Sequence, residues 1–142
     1  MARYLVVANQ TLAGEHLLER VRDCLSQGSC SFYIVVPATS PSEHAVWTEG
    51  EATALAQERL DAALGAFREL GADADGEVGD ANPVDAIRDV LREGEFDAII
   101  LSTLPPGISR WLGQDLPHRV EKEFDLPVTH VIGDVKAEQP EG

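Results

Sequence analysis

The run Tyr4-Leu5-Val6-Val7-Ala8 is a short, nearly unbroken apolar stretch that is rich in β-branched residues. Such a run is typical of a strand buried on both faces, so we expect it to be the central strand of a sheet. The next segment carries Leu17, Val21 and Leu25 at helical spacing and ends at Gly28, which predicts an amphipathic helix with a glycine stop. A buried strand that leads into a helix is the first half of a βαβ unit.

Strands and helices continue to alternate along the chain, which predicts βαβ units and a sheet with helices on both faces. We therefore expect an α/β fold in a single domain, with a five-stranded, mainly parallel, twisted sheet of the Rossmann-like kind. Asp73, Asp75 and Glu77 alternate with smaller residues, so the third strand is expected at a sheet edge with one solvated face. The later strands are predicted at residues 32–36, 74–78, 96–101 and 128–132, and the later helices near residues 51–70, 83–91 and 115–124.

The overall charge limits the partners of this chain. Its 142 residues contain 11 Lys and Arg against 25 Asp and Glu, for a formal net charge of -14. Such a chain repels phosphate backbones and anionic lipid headgroups, so we expect neither nucleic acid nor a membrane as a partner. The sequence has no signal-peptide layout and no apolar run of membrane-spanning length, so the expected location is cytoplasmic.

The sequence contains no recognisable catalytic or metal-binding motif. It has no Gly-x-Ser-x-Gly elbow, P-loop or Rossmann glycine run, and we therefore predict no enzymatic activity. Cys24 and Cys30 are too few for a disulfide framework and are predicted to be free thiols. The histidines lie in different elements and lack the spacing of a metal site: His16, His44, His118 and His130.

A binding site in such a fold is expected outside the carboxyl ends of the strands, near the point where the strand order reverses. A few converging cationic side chains could bind a small anionic ligand there despite the negative net charge. The candidate binding residues at these strand ends are Ala8, Asn9, Gln10, Val36, Gly79, Asp80, Ser102 and Thr103.

Three local patterns, together with the order of elements, resemble the universal stress protein family. The first strand ends in a polar residue, Asn9; a Gly79-Asp80 turn precedes a helix that Asn82 is expected to cap; and a helix leads through Leu126-Pro127-Val128 into a final strand. The resemblance covers residues 2–134 and leaves residues 135–142 as a polar tail. It implies the adenine nucleotide alpha hydrolase-like variant of the Rossmann-like fold.

Many members of that family bind ATP through a G-x2-G-x9-G-[ST] stretch after the fourth strand, and this chain departs from that pattern. Pro105 stands where the pattern has its second glycine, and a proline offers no N–H to a phosphate. Asp115 is expected to cap the last helix and to satisfy the amides that would otherwise bind the anion. We therefore predict weakened or lost ATP binding. Ser102 stands at the first glycine, Pro105 at the second and Gln114 or Asp115 near the third, while Gly107 and Gly113 are out of register.

The sequence leaves two alternatives open, one for the phosphate site and one for the role of Asn9. Arg110, His118 and Arg119 surround the same corner and could form a different anion site, which would make the protein an ATP- or AMP-binding stress-response protein with slow hydrolysis. Asn9 stands where the family has an acidic residue that contacts adenosine, and it could contact a nucleoside or only stabilise its own turn. An adenylate-forming or amidotransfer enzyme is disfavoured, because no Ser-Gly-Gly-type loop follows the first strand.

The leading interpretation is a universal-stress-protein-like regulatory or binding module that acts on a protein partner whose identity the sequence does not reveal. The family resemblance implies a homodimer through the last strand. Residues 128–132 carry little charge, which suits an edge strand that pairs with a second copy. ATP and AMP are the candidate ligands, and no cofactor is required by the sequence.

Overall fold

In the described part of the chain, five strands form one parallel sheet in the order β3-β2-β1-β4-β5, and four helices lie between successive strands. This arrangement confirms the predicted α/β fold, the central position of β1 and the edge position of β3. The computed structural model describes residues 2–8, 11–12, 14–38, 49–103 and 115–132. The elements are β1 (Ala2–Val7), α1 (Glu15–Ser26), β2 (Cys30–Pro37), α2 (Glu49–Glu69), β3 (Asp73–Gly79), α3 (Pro83–Glu93), β4 (Ala98–Thr103), α4 (Leu116–Phe124) and β5 (Val128–Ile132).

Strand β1 separates two hydrophobic cores. Leu5, Val6 and Val7 are all fully buried. Successive side chains of a strand point to opposite faces of the sheet, so Val6 packs into a core with α1 and α2, the α1/α2 core. Leu5 and Val7 pack into a second core with α3 and α4, the α3/α4 core. The unbroken apolar run at β1 is the sequence of a strand that faces both cores.

Three aromatic rings contact one another in the α1/α2 core. The ring of Phe32 on β2 stacks on Tyr4 with a centroid distance of 5.6 Å and meets the edge of Phe67 on α2 at 5.7 Å. Cys24 and Cys30 are buried in the same core as free thiols, as the sequence predicted. The contact between Phe32 and Phe67 holds α2 against the sheet.

The start of α3 follows the capping pattern of the sequence. The side-chain oxygen of Asn82 accepts hydrogen bonds from the backbone N–H groups of Val84 at 2.9 Å and Asp85 at 3.4 Å. Pro83 occupies the first helical turn, where its missing N–H costs nothing. Both predictions for this helix start are confirmed.

Some predicted boundaries differ from the structure. Helix α2 begins at Glu49 rather than Glu51, and β4 begins at Ala98 rather than Phe96. Phe96 precedes the strand, and its ring packs under the guanidinium group of Arg3. The predicted loop before α2, the turn after β4 and the polar tail lie mostly or wholly outside the described residues. Within those residues, none of the helices combines the length and the apolar character needed to cross a bilayer.

Gly79 allows α3 to pack closely on the sheet. A Cβ atom at this position would lie 2.8 Å from Cγ2 of Val35 and 2.9 Å from Cβ of Ala86. Both distances are shorter than side-chain carbons tolerate, so α3 could not keep its place above β2 and β3. In contrast, a Cβ atom at Gly65, near the end of α2, would meet open space.

We expect Gly79→Ala to lower the free energy of unfolding by about 1–3 kcal/mol, because the added methyl group overpacks the contact between β2 and α3. The matched change Gly65→Ala should raise it by about 0.5–1 kcal/mol, because alanine loses less backbone entropy in a helix. Urea unfolding followed by circular dichroism measures both. Equal effects of the two substitutions would contradict the packing role of Gly79.

Candidate functional site

The strand order reverses between β1 and β4. The chain runs outward from β1 to β2 and β3, then crosses to β4 and β5 on the other side of β1. In parallel α/β sheets, ligands bind outside the carboxyl ends of the strands at this reversal. Ala8 directly follows β1, and Ser102 and Thr103 are the last residues of β4, so these three predicted site residues lie at the reversal.

A buried hydrogen bond joins the two sides of this reversal. The Oγ1 atom of Thr11 and the Oγ atom of Ser102 are 2.5 Å apart, and the two residues are only 2% and 1% exposed. The bond ties the turn after β1 to the end of β4, and each hydroxyl satisfies the other. Thr11 was not among the predicted site residues, although its place just beyond β1 was the available signal.

A second polar contact joins β4 to the edge strand β5. The Oγ1 atom of Thr103 lies 2.8 Å from Nε2 of His130, and Thr103 is 2% exposed. Burial lowers the pKa of His130, because the partly desolvated imidazole favours its neutral form. His130 was predicted only as part of the final edge strand, because its contact with Thr103 depends on the register that places His130 opposite Leu101.

The other predicted residues in or next to the sheet are buried in the core, paired with a neighbouring strand, or hydrogen-bonded in a turn. Ala8 and Val36 are fully buried in the α1/α2 core. Gly79 pairs with Pro37 at the far edge of the sheet. The carboxylate of Asp80 accepts a hydrogen bond of 2.9 Å from the N–H of Asn82 and so shapes the turn before α3.

The start of α4 gathers three predicted residues and corrects one expectation. Asp115 was expected to cap α4 with its side chain, but it makes no such hydrogen bond. Its backbone is left-handed, with φ 56° and ψ 40°, whereas a side-chain cap needs an extended residue. Its carboxylate instead lies 3.2 Å from Nδ1 of His118, and its carbonyl accepts the N–H of Arg119 at 3.1 Å. The side chains of Asp115 and His118 are both exposed.

The structure therefore brings some of the described site residues into two groups, whereas Val36, Gly79 and Asp80 belong to neither. The first, at the strand-order reversal, contains Ala8, Ser102 and Thr103 together with Thr11 and His130. The second is the first turn of α4. The described part of the chain holds no group of three or more residues suited to a metal ion. The other predicted residues, Asn9, Gln10, Gly107 and Arg110, lie outside the described residues.

This geometry defines an α/β domain with a candidate small-ligand site at the carboxyl edge of its sheet. Among solved structures, the chain has the fold of the universal stress proteins. The universal stress protein from Archaeoglobus fulgidus matches with a TM-score of 0.63 at 18% identity, covering 92% of this chain and 93% of that one. No known protein family and no curated protein sequence gives a significant match.

Several of the similar structures contain a nucleotide, and two of them illustrate the likeness. The Archaeoglobus fulgidus protein in complex with dAMP has a TM-score of 0.63 and 20% identity, over 92% of this chain and 97% of that one. An Arabidopsis thaliana universal stress protein family protein with AMP bound has a TM-score of 0.66 and 12% identity, over 99% of this chain and 97% of that one. At these identities the likeness is one of fold, and it confirms the fold that the sequence resemblance implied.

We expect Ser102→Ala to lower the free energy of unfolding by about 1–3 kcal/mol, because the buried hydroxyl of Thr11 then lacks its partner. Thr11→Val should also destabilise the protein, since it leaves Ser102 unpaired. The double variant should cost less than the sum of the single variants, because no hydroxyl remains unsatisfied. A double-mutant cycle by urea unfolding measures this coupling, and strict additivity would show that the two hydroxyls do not depend on each other.

Stability should fall with acidification through His130. In the unfolded chain its imidazole has the ordinary value near 6.5, whereas the pKa in the folded protein is lower. As the pH falls through about 6.5, the unfolded state binds a proton at His130 before the folded state does. Protonation therefore favours the unfolded state, and the free energy of unfolding decreases.

The test compares urea unfolding near pH 7.5 and near pH 5.5, on the two sides of the ordinary imidazole pKa. His130→Gln, which keeps a donor for Thr103, should reduce the loss of stability on acidification. His16→Gln, at an exposed position of α1, is the matched control and should leave that loss unchanged. Equal pH dependence in the wild type and in His130→Gln would rule out this role.

Proposed function

We propose that this chain is a universal-stress-protein-like binding or regulatory module with weakened ATP binding. The hydrogen bond between Thr11 and Ser102 carries this proposal. Ser102 stands where the family motif has its first glycine, and a glycine there leaves space and backbone N–H groups near the phosphates. Here a buried side chain fills that position, and its hydroxyl is already bound to Thr11.

Electrostatics supports the same proposal. The negative net charge disfavours a polyphosphate, and the exposed carboxylate of Asp115 places a further negative charge at the start of α4. His118 is the nearest cationic candidate, yet its Nδ1 already faces that carboxylate. Because ATP carries more negative charge than AMP, the loss of affinity should be larger for ATP.

A second candidate function is AMP binding at an altered site. The similar structures with dAMP and AMP bound favour it, since the same fold accepts an adenine mononucleotide in those proteins. In this chain Arg119 and His118 are exposed at the first turn of α4, and they would supply positive charge for one phosphate. In this second candidate function the nucleoside part of AMP is still bound, and basic side chains contact the phosphate in place of the glycine backbone N–H groups.

The polar contacts at the strand-order reversal favour binding over catalysis. Thr103 and His130 form a hydroxyl–imidazole pair, which is a nucleophile and a base in other settings. However, Thr103 is buried by its neighbours, so a substrate could not reach its hydroxyl. We therefore propose a structural role for this pair.

We further propose a homodimer formed through β5. This strand is an edge of the sheet, and residues 128–131 along it are half-buried. Ile132 is 43% exposed, and among the described residues it is the one large hydrophobic side chain that is exposed. An uncharged, apolar edge is suited to pairing with a second copy, which would cover Ile132 and satisfy the free backbone groups.

A native mass spectrum of the purified protein, alone and after incubation with AMP or with ATP and magnesium, reads stoichiometry and ligand together. We expect a dimer without nucleotide, and a smaller ligand-bound fraction with ATP than with AMP. A dimer that retains about one ATP mass per chain would overturn weakened binding. A dimer that takes up AMP alone would establish the second candidate.

A pair of lysine variants tests the proposed dimer separately from nucleotide binding. Ile132→Lys adds a charge to the proposed interface and should give a monomer in sedimentation equilibrium at micromolar concentration, because a buried unpaired charge opposes association. Ala62→Lys, on the exposed face of α2, adds the same charge elsewhere and should leave the dimer intact. A wild-type monomer would contradict this part of the proposal without affecting the nucleotide result.

A further inference from the structure

A small cleft opens on the α3 side of the sheet, where α3 ends above the first half of the strands. Because α3 starts beside the carboxyl ends of the strands and runs back, its last residues lie away from the candidate nucleotide site. The cleft has a volume of about 120 Å³. It is lined by Arg3, Tyr33, Glu77, Val90, Glu93, Gly94 and Phe96.

One wall is an arginine held against an aromatic ring. The guanidinium carbon of Arg3 lies 4.4 Å from the centroid of Phe96, and its Nη1 donates a hydrogen bond of 3.1 Å to the carbonyl of Glu95. A Cβ atom at Gly94 would lie 3.0 Å from the same Nη1, so the glycine makes room for the guanidinium group. Among the described residues, Arg3 forms no ion pair with a carboxylate.

The opposite wall holds a tyrosine fixed by a carboxylate. The hydroxyl of Tyr33 donates a hydrogen bond of 2.6 Å to Oε1 of Glu77. Its ring centroid is 6.3 Å from that of Phe96. Burial, the hydrogen bond to Glu77 and the negative charges of Glu77, Asp75 and Glu93 all raise the pKa of Tyr33. The three carboxylates thus produce a negative potential at the tyrosine hydroxyl.

The end of α3 adds to this potential. Glu93 is the last residue of the helix, and its neighbour Gly94 is extended and leaves the helix at once. The carboxyl end of a helix carries a partial negative charge that favours cations. The one basic residue of the last turn, Arg92, points to Asp89 at 3.6 Å. Within the described chain, the carboxylate of Glu93 has no hydrogen bond or ion pair.

We propose that this cleft binds an organic ammonium group, carried by a small amine or by a lysine side chain. The charges of Glu77 and Glu93, together with the helix end, outweigh the single positive charge of Arg3 in the lining and attract the cation. The ring of Tyr33 offers it aromatic surface, whereas the ring of Phe96 is already covered by the guanidinium group of Arg3. A cavity of about 150 Å³ holds a benzene-sized molecule, so an alkylammonium chain fits a space of this size. The cleft is too small for a nucleotide, since sites for drug-sized ligands span about 300–1,000 Å³.

The test is a titration of the full-length protein with n-butylammonium chloride, followed by the NMR signals of Tyr33, Phe96 and the Gly94 amide. We expect saturable shifts with a dissociation constant on the order of 1–10 mM. The neutral control, n-butanol, has the same length and should not reproduce these shifts. Shifts that do not saturate, or that n-butanol reproduces, would overturn the proposal.

Charge-neutral variants test the carboxylates. Glu93→Gln should weaken binding about fivefold, because it removes one ion pair at a half-exposed site. Glu95→Gln is the matched control, since its side chain does not line the cleft. Equal binding by the two variants would also overturn the proposal. A parallel titration with Nα-acetyl-lysine methylamide distinguishes the sources: tighter binding than n-butylammonium identifies a protein side chain, and weaker binding identifies a free amine.

Discussion

Burial of β1 on both faces is the constraint on which the rest of this structure depends. Leu5 and Val7 face the α3/α4 core, whereas Val6 faces the α1/α2 core. A strand with apolar side chains on both sides must have helices above and below it, and in a single chain this requires crossover connections. The position of the strand-order reversal follows, because the chain can leave the central strand in two directions only. The candidate ligand site is thus placed by hydrophobic burial, before any polar residue is considered.

The polar residues at the reversal are paired with one another. Thr11 and Ser102 satisfy each other in the interior, as do Thr103 and His130. Such paired hydroxyls stabilise the ends of β1 and β4, because an unpaired hydroxyl at this depth would cost its full desolvation. The same pairing engages both hydroxyls within the protein, which is the feature that the proposal of weakened ATP binding uses.

The two ends of α3 have different chemistry, and this separates the two candidate sites. Its first turn is closed by Asn82 and Asp80, whose side chains satisfy the backbone N–H groups there. Its last turn ends at Gly94 beside Glu77 and Glu93, so negative charge gathers where the helix is already partly negative. The carboxyl edge of the sheet thus holds the candidate ligand site, and the opposite end of α3 holds the cleft proposed for an ammonium group.

The sequence by itself determined the order of elements, the central place of β1, the edge position of β3 and the cap at Asn82. Each of these depends on residues close together in the chain: an apolar run, an alternation of charges, or a side chain two residues from the amide it binds. Only the tertiary structure decided that Ser102 bonds to Thr11, that His130 meets Thr103, and that Asp115 does not cap α4. The first two contacts join residues 91 and 27 positions apart. The third depends on a left-handed backbone. Strand register and the path of the chain fix these contacts, and no local pattern encodes either one.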